Sequence, residues 1–386
     1  PITFLVSLNA YRAAVPGDPP PEPRAWLAEH WATRYPRLQP LTELLAEGRV
    51  TLLLDGLNEI PHHDHDDYRA HVMAWKHFLH AHLAAVPGNR AVVACRSLDY
   101  SAPLSSPRLR VPQVRLEPLS DEEVRAFLAH YSPAQADTLW SALASAPLVE
   151  SMRWPFLLRL LAEHASASGE LAVDVPALFT GFVRRALVRE VERDNPLFAP
   201  GSLLDRRDLQ RLVSGRSWRT AWDLPASGDL IPALARLAYR MQSAAAAEEM
   251  SQVRIARAAA IDALGDEHGS AVIDAAIAVG VLDEDPATGE VLFGHQLLQE
   301  YFAARELGRR PEPARLATPW RVADIRPGLR EVLDALPVAE TLPALPTTGW
   351  EETAILAAGM IDQPEPFLHA LMPHNLVVAA RAARAV

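Results

Sequence analysis

Short apolar runs alternate with helix-like stretches over the first 120 residues. Four runs have the length and the flanking glycines or prolines of buried strands, namely "PITFLVSL" (1–8), "RVTLLLDGL" (49–57), "AVVACRS" (91–97) and "VPQVRLEPLS" (111–120). Residues 26–45 and 68–86 instead have apolar positions at helical spacing. Strands that alternate with helices are typical of a parallel α/β sheet, so we expect a four-stranded one here.

The pattern changes after residue 120, where helical periodicity continues without strands. Ser120 followed by Glu123 is a capping-box pattern at the start of the first of these helices. Residues 121–193 are predicted to be helical and are interrupted by prolines, and the Ala-rich residues 229–280 are predicted to be helical again. This second region is therefore expected to be mainly helical.

A different pattern begins at residue 280. The segment "GVLDEDPATGEVLFGH" (280–295) has two short β-rich pieces around a turn, which predicts a hairpin. The segment "HQLLQEYFAARELG" (295–308) predicts a helix that leaves the hairpin. Helices followed by a hairpin outline a winged helix. Short helix pairs are predicted over residues 320–386, and they are consistent with the start of a helical-repeat array.

Length, charge and cysteine content limit the class of protein. A chain of 386 residues is expected to form several domains. Its net charge of −11 argues against broad affinity for nucleic acid or an anionic membrane. The single cysteine, Cys95, excludes an internal disulfide and favours a cytoplasmic location. No apolar run approaches the ~18 residues that span a bilayer. Because Pro1 opens directly into a predicted strand, we expect the chain to be an internal part of a longer protein.

Two carboxylates follow the second apolar run. Asp55 ends the run, and Glu59 comes four residues later. Ligands of open parallel sheets bind at the carboxyl ends of the strands. A carboxylate there can hold Mg²⁺ through water, and a second one can polarise the water that attacks a γ-phosphate. This is the Walker B arrangement, although an apolar strand that ends in Asp and runs into a polar turn is also common in ordinary cores.

Three further residues occupy positions of possible chemical interest. Arg96 lies at the carboxyl end of the third apolar run, where it could sense γ-phosphate charge. Pro155 starts a helix in "WPFLLRLL", and His295 stands where the hairpin gives way to its helix. Each has an ordinary alternative, namely a surface arginine, a first-turn proline or a capping or core histidine.

Together, and in this order, these segments resemble the NACHT-type members of the STAND class of signal-transduction ATPases. The matching segments are "LLLDGLNEIP", "VVACRS", "VRLEPLSDEEVRAFL", "WPFLLRLL" and "FGHQLLQEYFAA". The resemblance covers roughly residues 1–308. It implies a P-loop-type, AAA+-like α/β nucleotide-binding domain at 1–119, a helical domain at 120–175, a winged-helix region at 176–310 and the start of HEAT-like sensor repeats at 311–386.

The resemblance also implies a cofactor and a role for each candidate residue. ATP or ADP would bind with Mg²⁺, which Asp55 would help to hold. Glu59 would be the hydrolytic carboxylate and Arg96 the sensor. Pro155 would pack near adenine, and His295 would reach the β-phosphate of ADP in the resting state.

The phosphate-binding loop of this family is missing from the chain. That loop requires Gly-x-x-x-x-Gly-Lys-Ser/Thr, and the only lysine, Lys76, has no glycine near it. We expect either that the chain begins downstream of the loop or that the protein has lost it. The chain alone is then expected to bind nucleotide poorly, and the intact protein to be a slow ATPase. Asn58 also stands where many relatives carry a second acid, which does not exclude hydrolysis.

The leading functional hypothesis is a nucleotide-gated switch. ADP would hold it closed, a trigger sensed by C-terminal repeats would open it, and the ATP-bound form would self-associate and act through an N-terminal effector outside this chain. Bacterial anti-phage defence or innate immunity is the expected setting.

Two alternatives stay open. The first is a transcription regulator that binds DNA with its winged helix, although the hairpin carries four acids and no arginine or lysine. The second is a degenerate ATPase that serves as a scaffold. The residues "PHHDHDD" (61–67) have metal-binding side chains but irregular spacing, which favours a solvated loop, and Cys95 is expected to be a buried small apolar residue.

Overall fold

The computed structural model describes residues 1–12, 20–62, 65–95, 104–105, 110–144, 147–168, 174–213, 221–247, 254–265, 268–285, 289–316 and 348–386. The described residues form two hydrophobic cores. One core lies within residues 4–104, and the other extends from residue 124 to residue 382. The two cores correspond to the strand-rich and the helix-rich parts of the sequence pattern.

A parallel sheet organises the first core, as predicted. Its strands are β1 (Ile2–Ser7), β2 (Val50–Asp55) and β3 (Arg90–Val93), in the order β1–β2–β3. The connections contain α1 (Pro23–Arg34), α2 (Leu41–Ala46) and α3 (His65–Leu79), the last continued by a π-helical turn over His80–Ala84. The predicted helical stretch at 26–45 is thus two helices.

All three helices cover the same face of this sheet. Side chains alternate along a strand, so Phe4 and Leu52 point into the core that contains Trp31 and Trp75. On the opposite face, Leu5 is 57% and Val92 61% exposed. Parallel sheets are ordinarily covered on both faces. Among the described residues, the second face of this sheet is open.

The predicted fourth strand at 111–120 is wrong. These residues pair with none of the described strands, and Val114 and Leu116 are 91% and 87% exposed. A strand needs a neighbour to satisfy its backbone groups. The apolar alternation of this segment has no such neighbour here, and the regular structure begins again at Ser120.

Helices build the first part of the second core. They are α4 (Asp121–Tyr131), α5 (Ala136–Ala144), α6 (Pro155–Ser168), α7 (Val175–Glu192) and α8 (Arg206–Val213), with a 3₁₀ segment at Pro147–Arg153. The predicted capping box is confirmed, since Ser120 Oγ accepts from the Glu123 amide at 3.3 Å and Glu123 Oε2 accepts from the Ser120 amide at 2.8 Å. Prolines 155 and 176 stand at helix starts, as the sequence pattern predicts.

A second sheet follows, formed within one compact unit. Its elements are α9 (Leu230–Ala247), β4 (Arg254–Ala256), α10 (Arg257–Leu264), α11 (Gly269–Ala278), β5 (Leu282–Asp285) and β6 (Glu290–Phe293). The sheet is antiparallel in the order β4–β6–β5. The predicted hairpin is therefore confirmed, whereas β4 was missed because three residues are too few to show alternation. We call residues 230–293 the antiparallel unit.

Four helices complete the described structure. They are α12 (Gln296–Arg309), α13 (Glu351–Ala358), α14 (Pro364–Leu371) and α15 (Leu376–Ala383). Helix α12 packs against α9 and α13, so the last three helices share one core with the antiparallel unit. Residues 320–347 of the region in which short helix pairs are predicted lie outside the described residues. None of the helices within the described ranges is both long and apolar enough to cross a membrane.

Candidate functional site

The carboxyl edge of the parallel sheet carries the first two candidate residues. Asp55 ends β2 on the open face, opposite Ser7 of β1 in the register. Gly56 follows with φ +76°, and a Cβ there would stand 2.9 Å from Glu59 Oε2. The glycine therefore allows the 3₁₀ turn Leu57–Glu59 to fold the carboxylate of Glu59 back over the end of the strand.

Asn9 links this carboxylate to the rest of the molecule. It lies in a 3₁₀ turn, Leu8–Ala10, directly after β1. Its Nδ2 donates to Glu59 Oε2 at 3.4 Å, and its Oδ1 accepts from Ser7 Oγ at 3.0 Å and from Arg254 Nε at 2.6 Å. Arg254 belongs to β4, so the antiparallel unit reaches the carboxyl edge of the parallel sheet.

A second contact joins the same two parts of the chain. Arg12, three residues after Asn9, pairs with Glu290 of β6. Arg254 is itself held by Asp285 of β5, with 2.7 Å between Nη1 and Oδ2. Two arginines therefore fasten the antiparallel unit to the turn after β1.

The acids of the hairpin are mostly engaged in such pairs. Glu284 pairs with Arg257 at 3.1 Å, in addition to the pairs of Asp285 and Glu290. The hairpin itself has no basic residue, but tertiary structure supplies three arginines from outside it. The local acidic charge is thus balanced by intramolecular ion pairs, which the hairpin sequence alone does not reveal.

His295 is the N-cap of α12. Its Nδ1 accepts from the Leu297 amide at 3.1 Å. A ring nitrogen that accepts carries no proton, so the neutral ring has its hydrogen on Nε2. The ring also stacks on Phe156, with 3.9 Å between centroids and 2° between planes. The cap and the stack fix the ring orientation and leave Nε2 as the donor nitrogen.

Pro155 starts α6 one residue before Phe156 and is exposed. The stack of Phe156 on His295 therefore brings the amino ends of α6 and α12 together. His295 lies only five residues after Glu290, so their Cα atoms are at most about 18 Å apart. Two candidate residues that are distant in sequence, Pro155 and His295, thus lie at one junction between α6 and α12.

The remaining candidates are less well defined. Arg96 lies outside the described residues. The predicted solvated loop at 61–67 is wrong in its second half, because residues 65–67 belong to α3, where the helical pattern continues N-terminally from residue 68. No group of three His, Cys, Asp or Glu side chains in the described ranges could hold a metal. Cys95 is half-buried rather than fully buried, against the first core. A surface depression of about 460 Å³ between α4, α6 and α7 contains none of the candidate residues.

The donor set fits Mg²⁺ better than it fits a nucleotide. Mg²⁺ keeps several waters and needs only one or two carboxylates, and Asp55 supplies an exposed one at the strand end. A triphosphate needs a glycine-rich loop that ends in a lysine, and the only lysine of this chain, Lys76, has no glycine near it. The given chain therefore provides a carboxylate of the kind that holds Mg²⁺, but it contains no phosphate-binding loop.

No protein-family model matches the sequence, and no curated protein matches it either. The family resemblance described above consequently rests on the motif residues and their order in the sequence.

Proposed function

We propose that this chain is the regulatory core of a nucleotide-gated switch of the NACHT type, closed with ADP and open with ATP. One observation carries the proposal. Arg254 of the antiparallel unit reaches the Glu59 turn through Asn9, so a docked second unit touches the edge of the sheet where ligands of α/β proteins bind.

The element order supports the same assignment. The antiparallel unit runs helix, strand, helix, helix, strand, strand, with sheet order β4–β6–β5. We assign it as the winged helix of the switch. His295 caps the helix that follows, at the position where the family resemblance places its histidine, and α4 to α6 supply the intervening helical region.

Each residue has a defined task in this proposal. Mg²⁺, when bound, would stabilise the negative charge that develops on the phosphate oxygens during hydrolysis. Asp55 would hold the metal through water, and Glu59 would orient the attacking water. His295 would donate from Nε2 to an anionic oxygen of the nucleotide while its Nδ1 caps α12. Because His295 and the sheet edge at Asp55 belong to different parts of the chain, this hydrogen bond would exist only when the antiparallel unit is docked on the parallel sheet.

The switch would work by changing the fraction of molecules in which the antiparallel unit is docked, that is, in contact with the turn after β1. A trigger that favours the undocked form shifts the equilibrium by its differential affinity for the two forms. Undocked protomers would then self-associate, and an effector outside this chain would act. Cytoplasmic defence against phage is the setting that we propose for such a switch.

The two alternatives have weaker support. A DNA-binding regulator needs an accessible winged helix, whereas Arg254 and Glu290 face the turn after β1. A degenerate scaffold agrees with the missing phosphate loop, and it differs from the switch in predicting no nucleotide binding by the full-length protein.

ATP turnover by the full-length protein tests the proposal. Glu59→Gln removes the charge that orients water, so hydrolysis should fall by at least about 100-fold while ADP affinity stays within about threefold. Asp55→Ala should instead weaken the Mg²⁺-dependent part of nucleotide binding. Glu29→Gln, on the exposed face of α1, is the matched control and should change neither quantity.

Full turnover by Glu59→Gln would contradict its catalytic assignment. Absence of nucleotide binding by the wild-type, full-length protein would favour the scaffold, and salt-dependent binding of duplex DNA would favour the transcription regulator.

A further inference from the structure

The Asn9 side chain sits between two charged partners from distant parts of the chain. Its Oδ1 accepts from Arg254 Nε at 2.6 Å, and its Nδ2 donates to Glu59 Oε2 at 3.4 Å. Arg254 lies 245 residues away in sequence. An amide has one accepting and one donating end, so contact with both partners depends on which way the amide faces.

Arg254 determines that orientation. A guanidinium has donors only, so it must meet the oxygen of the amide, and the nitrogen then faces the carboxylate of Glu59. Ser7 also contacts Oδ1 at 3.0 Å, but a hydroxyl can donate or accept. Ser7 would therefore tolerate a reversed amide, whereas Arg254 would not.

Burial makes this preference strong. Asn9 is 7% exposed and the Arg254 side chain 10% exposed, so little water competes for these contacts. Asp285 holds the other end of the guanidinium at 2.7 Å. The four side chains Asp285, Arg254, Asn9 and Glu59 form one continuous series of polar contacts that crosses from the antiparallel unit to the parallel sheet.

We propose that Arg254 is a positioning residue for Glu59, acting through the Asn9 amide, so that docking of the antiparallel unit sets the orientation of this carboxylate. Undocking withdraws Arg254, the amide is free to reverse, and Glu59 loses a donor of fixed direction. Only the consequence for ATP hydrolysis rests on the proposed function; the linkage between the two parts does not.

This coupling between Arg254 and Glu59 predicts in which form of the protein ATP is hydrolysed. An undocked, ATP-bound protomer has Glu59 without the donor that Arg254 directs, so hydrolysis is slow while the protein signals. Redocking restores the orientation and completes hydrolysis, which leaves ADP in the closed form. Hydrolysis is thereby confined to the moment of closure.

Hydrogen exchange measured by mass spectrometry tests the linkage without nucleotide. The reporter is the peptide that contains the Leu57–Glu59 turn, in the full-length protein. Asn9→Ala and Arg254→Ala should each accelerate its exchange about tenfold, the loss expected for a hydrogen bond to a charged group. The double variant should exchange no faster than either single variant, because both changes break the same series of contacts.

Arg257→Ala is the matched control. Arg257 pairs with Glu284 and Asp274 within the antiparallel unit, as Arg254 pairs with Asp285, but among the described residues no hydrogen bond or ion pair joins it to Asn9. In the Arg257→Ala variant, the hydrogen-exchange rate of the peptide that contains the Leu57–Glu59 turn should equal that of the wild-type protein. Arg254→Lys keeps the charge and a donor, so it should retain a large part of the protection from exchange that Arg254→Ala loses. It replaces Arg254→Ala in the experiment if that variant folds poorly.

ATP turnover provides the second readout. Arg254→Ala should lower kcat about tenfold with KM for ATP within about twofold, and it should have no further effect in the Asn9→Ala background. An undiminished effect of Arg254→Ala in that background would overturn the proposal, since Arg254 would then act through docking alone. A protein that hydrolyses no ATP but shows the exchange pattern would refute the proposed function and leave the linkage standing.

Discussion

At the scale of single residues, His295 has an observed role as a helix cap and a proposed role in phosphate binding, and removal of its side chain would abolish both at once. Its Nδ1 caps α12 through the Leu297 amide, and its ring stacks on Phe156. The capping role agrees with the ordinary alternative considered from the sequence. The family role requires in addition that Nε2 donate to a phosphate, and the cap itself places the proton on that nitrogen.

Two substitutions separate these roles. His295→Ala should lose the cap, which stabilises by about 1 kcal/mol, whereas His295→Asn should keep it, since Asn is among the best N-cap residues. Thermal unfolding of the two variants measures this difference. If His295 also holds ADP, both variants should release ADP about 10- to 150-fold faster, the loss of a hydrogen bond worth about 1.5–3 kcal/mol to a charged group. An unchanged ADP off-rate for His295→Asn would leave only the capping role.

At the scale of elements, β2 and the segment 111–120 were both predicted to be strands, but only β2 is one. Leu54 of β2 is buried between neighbours on both sides, whereas Leu116 is exposed and its segment pairs with no described strand. Alternating apolar residues therefore form a strand only where a partner is available. The same apolar residue type should contribute very differently to stability in the two places.

Matched substitutions test that difference. Leu54→Ala should lower the free energy of unfolding by about 2–5 kcal/mol, because it removes buried methyl groups and leaves a cavity. Leu116→Ala should change it by less than about 0.5 kcal/mol, as for other exposed positions. Urea unfolding monitored by fluorescence gives both values. A cost above about 2 kcal/mol for Leu116→Ala would mean that the segment is buried against a partner after all.

At the scale of the whole molecule, two arginine contacts attach the antiparallel unit to the parallel sheet. Arg12 is half-exposed, whereas its partner Glu290 is almost fully buried. Glu290 Oε2 has no hydrogen-bond partner among the described residues. The docked form therefore contains a buried carboxylate that depends on one arginine from the other part of the chain.

Removal of that arginine should favour the undocked form. Arg12→Ala leaves the Glu290 carboxylate buried without a cation, which costs about 1–3 kcal/mol in the docked state only. The undocked population should rise about 5- to 150-fold, visible as a larger radius of gyration in small-angle X-ray scattering. Arg49→Ala is the control, because Arg49 pairs with Glu47 on the exposed surface of the parallel-sheet part.

A second substitution should reverse the effect. Glu290→Gln in the Arg12→Ala background removes the buried charge and should return the radius of gyration toward the wild-type value. An unchanged radius for Arg12→Ala would show that other contacts determine docking.

Local patterns were sufficient for much of the fold and for the position of two candidate residues. Periodicity and flanking residues predicted β1, β2, the β5–β6 hairpin and most helices, because these depend on neighbours within a few residues. Asp55 and Glu59 were found because a strand and the turn after it place them at one edge. The strand β4 was missed since a three-residue strand leaves no periodic signal.

Only the tertiary structure decided which distant residues meet. Asn9, Arg254 and Phe156 have no local pattern that marks them, and their contacts join residues up to 245 positions apart. The failure of the segment 111–120 to form a strand has the same origin. Hydrogen-bond partners of a strand and ion-pair partners of a buried charge lie elsewhere in the chain, so the sequence determined the elements of this protein and the packing of those elements determined its candidate site.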